Sequence, residues 1–198
     1  MILWTNQPFV VYQQLQQRGI FSCDPAYAPL LADDNVNFKN AYQWMCTQLK
    51  QKVGLPPAGV EFPIWAWYRR NYAHQRPDFR QRQDYDDQVL LELMIPETDV
   101  LLSDFDQWHF VLGNSYLPTA NSEREFDQAE QRFENLSATE QQIEKLVSWQ
   151  QIFDITPRFG DWTQNGAYVQ GCFWQLKQEQ VCRAWRRQKG HKVEELFY

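Results

Sequence analysis

The sequence predicts an α+β fold: helices packed on a mostly antiparallel sheet, in a single domain over residues 1–198. Three observations lead there. Strand-like and helix-like segments mix irregularly rather than alternating as βαβ units do. Breaks as short as Pro96-Glu97-Thr98-Asp99 separate apparent strands, and such connections suit antiparallel pairing. No linker-like stretch divides the 198 residues, a length that fits one sizeable core.

Each element has its own local reason. Ile2-Leu3-Trp4-Thr5 reads as a first strand, with Asn6 as cap and Pro8 in the first turn of a helix. Phe9, Tyr12 and Leu15 recur at helical spacing, and Gly19 stops that helix before Ile20-Phe21-Ser22. Pro25, Pro29 and Asp33-Asp34 mark a loop. Phe38, Ala41, Tyr42, Met45 and Leu49 define an amphipathic helix ending near Gly54. The breaker cluster from Gly54 to Gly59 leads into a strand, Pro63 to Tyr68, with Trp65 and Trp67 on one face and Ile64, Ala66 and Tyr68 on the other. A charged, mobile segment is expected from Arg69 to Asp87.

Val89 to Ile95 is almost continuously apolar, which predicts a central strand covered on both faces. Glu92 inside it needs a partner, because a buried carboxylate left alone is costly. Val100 to Leu102 continues as strand, and a short helix starts at Ser103 or Asp104 and ends at Gly113-Asn114. Glu123 to Glu134 is acidic and Gln-rich, a solvated helix or loop. Ser137 and Glu140 have capping-box spacing for a helix completed by Ile143, Leu146, Val147, Gln150 and Phe153. Thr156 to Gly166 is loop. Tyr168 to Leu176 reads as a strand, and Val181 to Trp185 as another that pairs with it.

The net charge of −6 argues against a general affinity for duplex DNA or anionic membrane, since both reward excess Lys and Arg. Nucleic acid and membrane are therefore not the expected partners, although Arg69, Arg70, Arg76, Arg80 and Arg82 crowd one segment. Lys177, Arg183, Arg186, Arg187, Lys189 and Lys192 crowd another. Cys23, Cys46, Cys172 and Cys182 form no CxxC pair, so zinc spacing is absent and no metal site is expected. Reduced thiols, no secretory leader at Met1-Ile2-Leu3-Trp4 and no run of about 20 apolar residues suit a cytoplasmic protein.

The aromatic share of 16%, with nine Trp, calls for a ring-rich core or a cleft lined with rings. Ser103-Asp104-Phe105-Asp106-Gln107-Trp108-His109 gathers carboxylates, an imidazole and aromatics at a strand end. Asp104, Asp106 and His109 are the candidate catalytic residues, with His109 titrating near neutral pH and a carboxylate orienting it. A mixed oxygen and nitrogen metal site is a second reading, although no further His or Cys cluster supplies a third ligand. The structural alternative makes Ser103 and Asp106 a capping pair. Trp65 and Trp67 can stack a base or nicotinamide ring, or fill the core. Gln170 and Trp174 share a strand face with Cys172 between them. The thiol would need a base such as His109 to act as a nucleophile, and otherwise fills core.

Trp4-Thr5-x-Gln7, Pro63-Ile64-Trp65-Ala66-Trp67, Ser103-Asp104-Phe105-Asp106-x-Trp108-His109, Ser148-Trp149 and Gln170-x-x-Phe173-Trp174 resemble a bacterial family, domain of unknown function 3841. The strand, the helix ending in Gly and the late strand near Gln170 also look, more distantly, like ADP-ribosyltransferases of the DNA-modifying toxin type. That likeness implies NAD as cofactor, a fold of that type, and an aromatic or polar residue of the first strand on the NAD. A cleft formed by Trp4, Gln7, Trp65, Trp67, Asp104, His109 and Gln170, which cluster at the expected strand ends, would hold such a ligand. Laying Gln170 on that family's Gln puts Cys172 where its catalytic Glu sits, and a thiol does not hydrogen-bond ribose hydroxyls as a carboxylate does. Glu92 and Asp104 are the carboxylates that could stand in. The expected function is thus an NAD-like nucleotide-binding protein, catalytically degenerate or active. The alternatives are a protein–protein interaction module, acting through residues 123–134 or the basic C-terminal region, and a nucleic-acid-binding module.

Overall fold

The computed structural model describes residues 1–24, 36–78 and 85–196. The loop expected around Pro25, Pro29, Asp33 and Asp34, and Arg80, Arg82 and Asp84 of the charged segment, lie outside the described residues.

The strands are β1 (Ile2–Pro8), β2 (Ile20–Ser22), β3 (Ile64–Arg69), β4 (Asp87–Met94), β5 (Leu101–Asp104), β6 (Val169–Phe173), β7 (Gln175–Lys177), β8 (Val181–Gln188) and β9 (Glu194–Leu196). The helices are α1 (Phe9–Arg18), α2 (Val36–Lys52), α3 (Phe105–Leu112), α4 (Glu123–Glu134) and α5 (Ala138–Ser148). Seven strands form one sheet in the order β5-β6-β3-β1-β4-β8-β9, with every neighbouring pair antiparallel. The chain is thus α+β, and β2 and β7 form a separate two-stranded ribbon.

The apolar run of β4 lies between β1 and β8, and its alternating residues face two different cores. On the first face Leu3, Ile64, Ala66, Leu91, Leu93, Phe173 and Ala184 pack with Val11 and Leu15 of α1. The second face divides. Towards β5 and β6, Leu101 and Cys172 pack with Met45 and Leu49 of α2, Trp108 and Val111 of α3, and Trp149 and Ile152 of the 3-10 turn after α5. Towards β8, Trp4, Leu90 and Trp185 form a smaller cluster. Each large side chain so buried stabilises the fold by about 1.5–3 kcal/mol.

Local signals account for the element ends. Gly19 closes α1 at φ 73°, a left-handed value that glycine adopts without steric cost. The Ser137–Glu140 capping box forms, with the Glu140 amide donating to Ser137 Oγ and the Ser137 amide to Glu140 Oε2. The Glu123 to Glu134 segment is a helix that buries none of its residues.

Other expectations are corrected. β1 runs through Pro8, so Asn6 is a strand residue that donates to Gln88 Oε1 rather than a cap, and no side chain caps α1. The strand expected from Tyr168 to Leu176 breaks at Trp174, whose indole N–H turns to the Gly54 carbonyl. Its halves β6 and β7 then join different sheets. Val181 to Trp185 pairs with β4 and β9, not with β6. α5 ends at Ser148. Its Ile143 and Val147 point outward, 58% and 62% exposed, and Gln150 and Phe153 belong to the 3-10 turn. Residues 70–78, expected to be mobile, fold back over the second face: the His74 ring lies 5.2 Å from Trp4 and 4.5 Å from Tyr68, and Arg76 sits over Trp185.

Candidate functional site

Antiparallel register lines up one row of side chains across six strands of the second face. Arg183 stands opposite Glu92, Glu92 opposite Trp4, Trp4 opposite Trp67, Trp67 opposite Gln170, and Gln170 opposite Ser103. Side chains directly opposite on one face lie about 4.5–5.5 Å apart at Cβ, so the row is a continuous polar and aromatic strip. The partner that Glu92 needs is Trp4, whose Nε1 donates to Glu92 Oε2 at 3.0 Å.

The middle of the strip lies on β3. Its neighbour Trp65 is one row over, opposite Cys172. β3 is an interior strand, yet Trp65 and Trp67 are only half-buried. Trp67 is edged by the Phe105 ring at 5.0 Å and by the Arg70 guanidinium at 5.3 Å. Trp65 is edged by Trp108 at 5.4 Å and Tyr42 at 5.9 Å. The result is a partly exposed aromatic cluster between the α2–α3 layer and the returning segment after β3. Trp65 Nε1, Arg70 Nε, Ser103 Oγ and Gln170 Nε2 are buried there with no hydrogen-bond partner among the described residues. Unpaired buried polar atoms are uncommon enough to need a reason.

The other candidates sit apart from this strip. Gln7 is on the opposite face of β1 from Trp4, and its amide donates to Thr5 Oγ1. Asp104 is the cap of α3, where the structural alternative had placed Ser103 with Asp106. Its Oδ1 accepts from the Gln107 amide and its Oδ2 from the Gly166 amide, and it is 2% exposed. Asp106 is on the outer side of α3. Partial burial and the neighbouring Asp104 raise its carboxyl above the usual aspartate range, with His109 opposing. His109 is exposed, its Nδ1 paired with the Phe105 carbonyl and its ring edge-on to Phe105. It lines a separate groove of about 710 Å³ with Tyr116, Phe133 and Lys145.

Cys172 is fully buried. Burial first, and Cys46 second, push its thiol far above the usual range, so the thiolate that nucleophilic chemistry needs is suppressed. Among the described residues no group of three or more His, Cys, Asp or Glu converges on a point that could hold a metal.

The structure therefore joins Trp4, Trp65, Trp67 and Gln170, and leaves Gln7, Asp104, Asp106 and His109 elsewhere. Sequence reasoning missed Ser103 as a strip residue, together with Phe105 and Tyr42. The signal for Ser103 was available: it alternates with Leu101 on β5 and so shares that residue's face.

No helix among the described residues is long and apolar enough to cross a membrane. No curated protein and no solved structure matches the chain. Residues 2–182 match the family described as Domain of unknown function (DUF3841), a span that contains the whole strip except Arg183. With nearly all of its length matched, the chain belongs to the DUF3841 family.

Proposed function

We propose that the Trp65–Trp67 face of β3 is the floor of a cleft that binds a nucleotide-like ligand with a planar ring, NAD among the candidates. The observation that carries this is the incompletely buried Trp65–Trp67 pair on an interior strand beside the unpaired Gln170 Nε2 and Ser103 Oγ. Indole faces stack planar rings whatever their sequence identity, with about 1–3 kcal/mol per base. Polar groups left without partners gain one when a ligand arrives.

The layout suits a binding protein or a degenerate relative of ADP-ribosyltransferases better than an active transferase. The late strand offers the buried Cys172 thiol where a carboxylate would be wanted, and Glu92, the carboxylate on the strip, is held by Trp4. The four cysteines are free thiols, which fits a cytoplasmic setting.

The test is thermal melting with and without millimolar NAD, with chromatography for released nicotinamide. A ligand that binds only the folded state at 100 times its Kd adds about 2.7 kcal/mol and raises the melting temperature. A rise that disappears in Trp67→Ala, itself folded, supports the reading, and nicotinamide release would make the protein an NAD-consuming enzyme. No rise with NAD, adenosine or nicotinamide removes the reading.

A second reading, a protein–protein interaction module, has one specific support: Ile143, Leu146 and Val147 form an exposed apolar stripe on α5, beside the solvated acidic α4. A third, a nucleic-acid module, has less. Arg183, Arg186 and Lys189 of the basic C-terminal region are paired with Glu195, Asp87 and Asp86.

A further inference from the structure

We infer, on the reading that the cleft over β3 holds a planar ligand, that it selects a ring whose edge presents hydrogen-bond acceptors, a carbonyl-edged base rather than an amino-edged one. The unpaired groups set the polarity. An indole N–H and a guanidinium N–H only donate, a primary amide N–H₂ donates, and a hydroxyl does either. Trp65 Nε1, Arg70 Nε and Gln170 Nε2 are of the donating kinds, and Ser103 Oγ is the hydroxyl.

Their placement is as one-sided as their chemistry. Ser103 and Gln170 face each other across β5 and β6 without bonding to each other. Gln170 faces Trp67 on its other side, and Trp65 lies one row over on the same strand. Arg70 sits over the Trp67 ring that would form one wall. A ring stacked there would meet N–H groups from β3, β6 and the segment after β3.

A carbonyl-edged base carries a ring N–H beside its exocyclic oxygen. Ser103 Oγ can accept that proton. Gln107 Oε1 is a further buried acceptor without a partner among the described residues, on the first turn of the helix that supplies Phe105. An amino-edged base would set its N–H₂ against an N–H of Gln170 or Trp65 and offer the remaining N–H groups only the ring nitrogen beside it, where a carbonyl-edged base offers an oxygen with two lone pairs. A mismatch of this kind gives stronger discrimination than a missing apolar contact.

The experiment uses the full chain and two matched pairs of nucleosides, inosine against adenosine and uridine against cytidine, titrated by intrinsic Trp fluorescence and checked by calorimetry. Within each pair the edge changes from carbonyl to amino on the same ring. Inosine and uridine should bind at least tenfold more tightly than adenosine and cytidine. Gln170→Glu, which replaces the donor by an acceptor, should erase or reverse that preference. Its melting curve shows whether it is folded, and if it is not, the wild-type pairs decide alone.

Equal or tighter binding of adenosine and cytidine overturns the acceptor-edge inference while leaving a planar-ligand cleft standing. A preference that persists in folded Gln170→Glu overturns the assignment to Gln170. Binding by none of the four nucleosides or NAD overturns the cleft reading itself, and the acceptor-edge inference with it.

Discussion

Asp104 and Gly166, far apart in the chain, are joined by a 2.7 Å hydrogen bond from the glycine amide to the buried carboxylate Oδ2. The other oxygen, Oδ1, accepts from the Gln107 amide at 2.9 Å, so one side chain both caps α3 and pins the loop before β6. Removing it loses a helix cap and a charge-assisted bond and strands a buried N–H. Asp104→Ala should cost about 3 kcal/mol, and Asp104→Asn less, because the amide keeps one acceptor oxygen. Urea midpoints give the answer, and a loss below about 0.5 kcal/mol for Asp104→Ala would remove the node.

Gly166 is the other half of that junction. Its φ is +67°, and a Cβ would come within 2.5 Å of the Ile155 carbonyl oxygen and 3.0 Å of Arg69 Nη1. Arg69 Nη1 donates to both the Ile155 and Gly166 carbonyls, so the loop has little room to move aside. Gly166→Ala should destabilise by at least about 1–3 kcal/mol, the usual cost of one strained backbone residue. An alanine variant that melts with wild type would show that the loop relaxes freely.

The thiols should separate by burial. Cys182 is exposed and Cys23 partly so, while burial pushes Cys46 up to about 11 and Cys172 higher still. Iodoacetamide at pH 8 should label Cys182 first and leave Cys172 unmodified until the protein is unfolded. Rapid native labelling of Cys172, read by peptide mass, would mean that β6 opens or that the thiol is activated after all.

How much of this was legible in the sequence follows from the range of each interaction. Gly19, the Ser137–Glu140 box and the buried β4 run are decided within a few residues, and the sequence carries them. The pairing of β8 with β4 is set by contacts between distant segments, and no local pattern distinguishes it from a pairing with β6. The strip is a mixed case. Trp65 and Trp67 announce a ring-lined face, but their alignment with Gln170 and Ser103 needs two strand registers that only the fold supplies. His109 was attractive for its chemistry alone, and helix periodicity does not reveal that its side of α3 looks away from the sheet. Asp104, a catalytic candidate for its place at a strand end, does close β5, but its hydrogen bonds are spent on backbone amides.

α5 shows the same limit in testable form. Ile143, Leu146 and Val147 have core spacing, yet they are 58%, 38% and 62% exposed. Periodicity identifies an apolar face but not whether anything covers it. Ile143→Glu with Val147→Glu should therefore change stability by no more than about 0.5 kcal/mol per site. A loss above about 2 kcal/mol in urea unfolding would mean that the stripe is covered in solution.

Two aspartates should shift stability with pH in opposite senses. Burial, with Asp104 adding to it, raises the Asp106 carboxyl, so the folded state holds that proton more tightly than the unfolded chain. Its favourable contribution is present below the ordinary value of about 3.9 and lost as pH rises through the raised folded value. Asp106→Asn should therefore be slightly more stable than wild type at pH 7. Asp154 runs the other way. Hydrogen bonds from Thr156 first and Arg158 second hold it down at about 2, so its contribution is present above about 3.9 and fades as pH falls towards 2. Asp154→Asn should be less stable at pH 7. The Asp154 side chain is 45% exposed, and Asp106 also faces solvent, so screening keeps each difference below about 1 kcal/mol. Urea unfolding at pH 7 and pH 3 should show opposite signs at pH 7 and smaller differences at pH 3. Differences of the same sign at pH 7 would mean that one of the two carboxylates does not have the surroundings described.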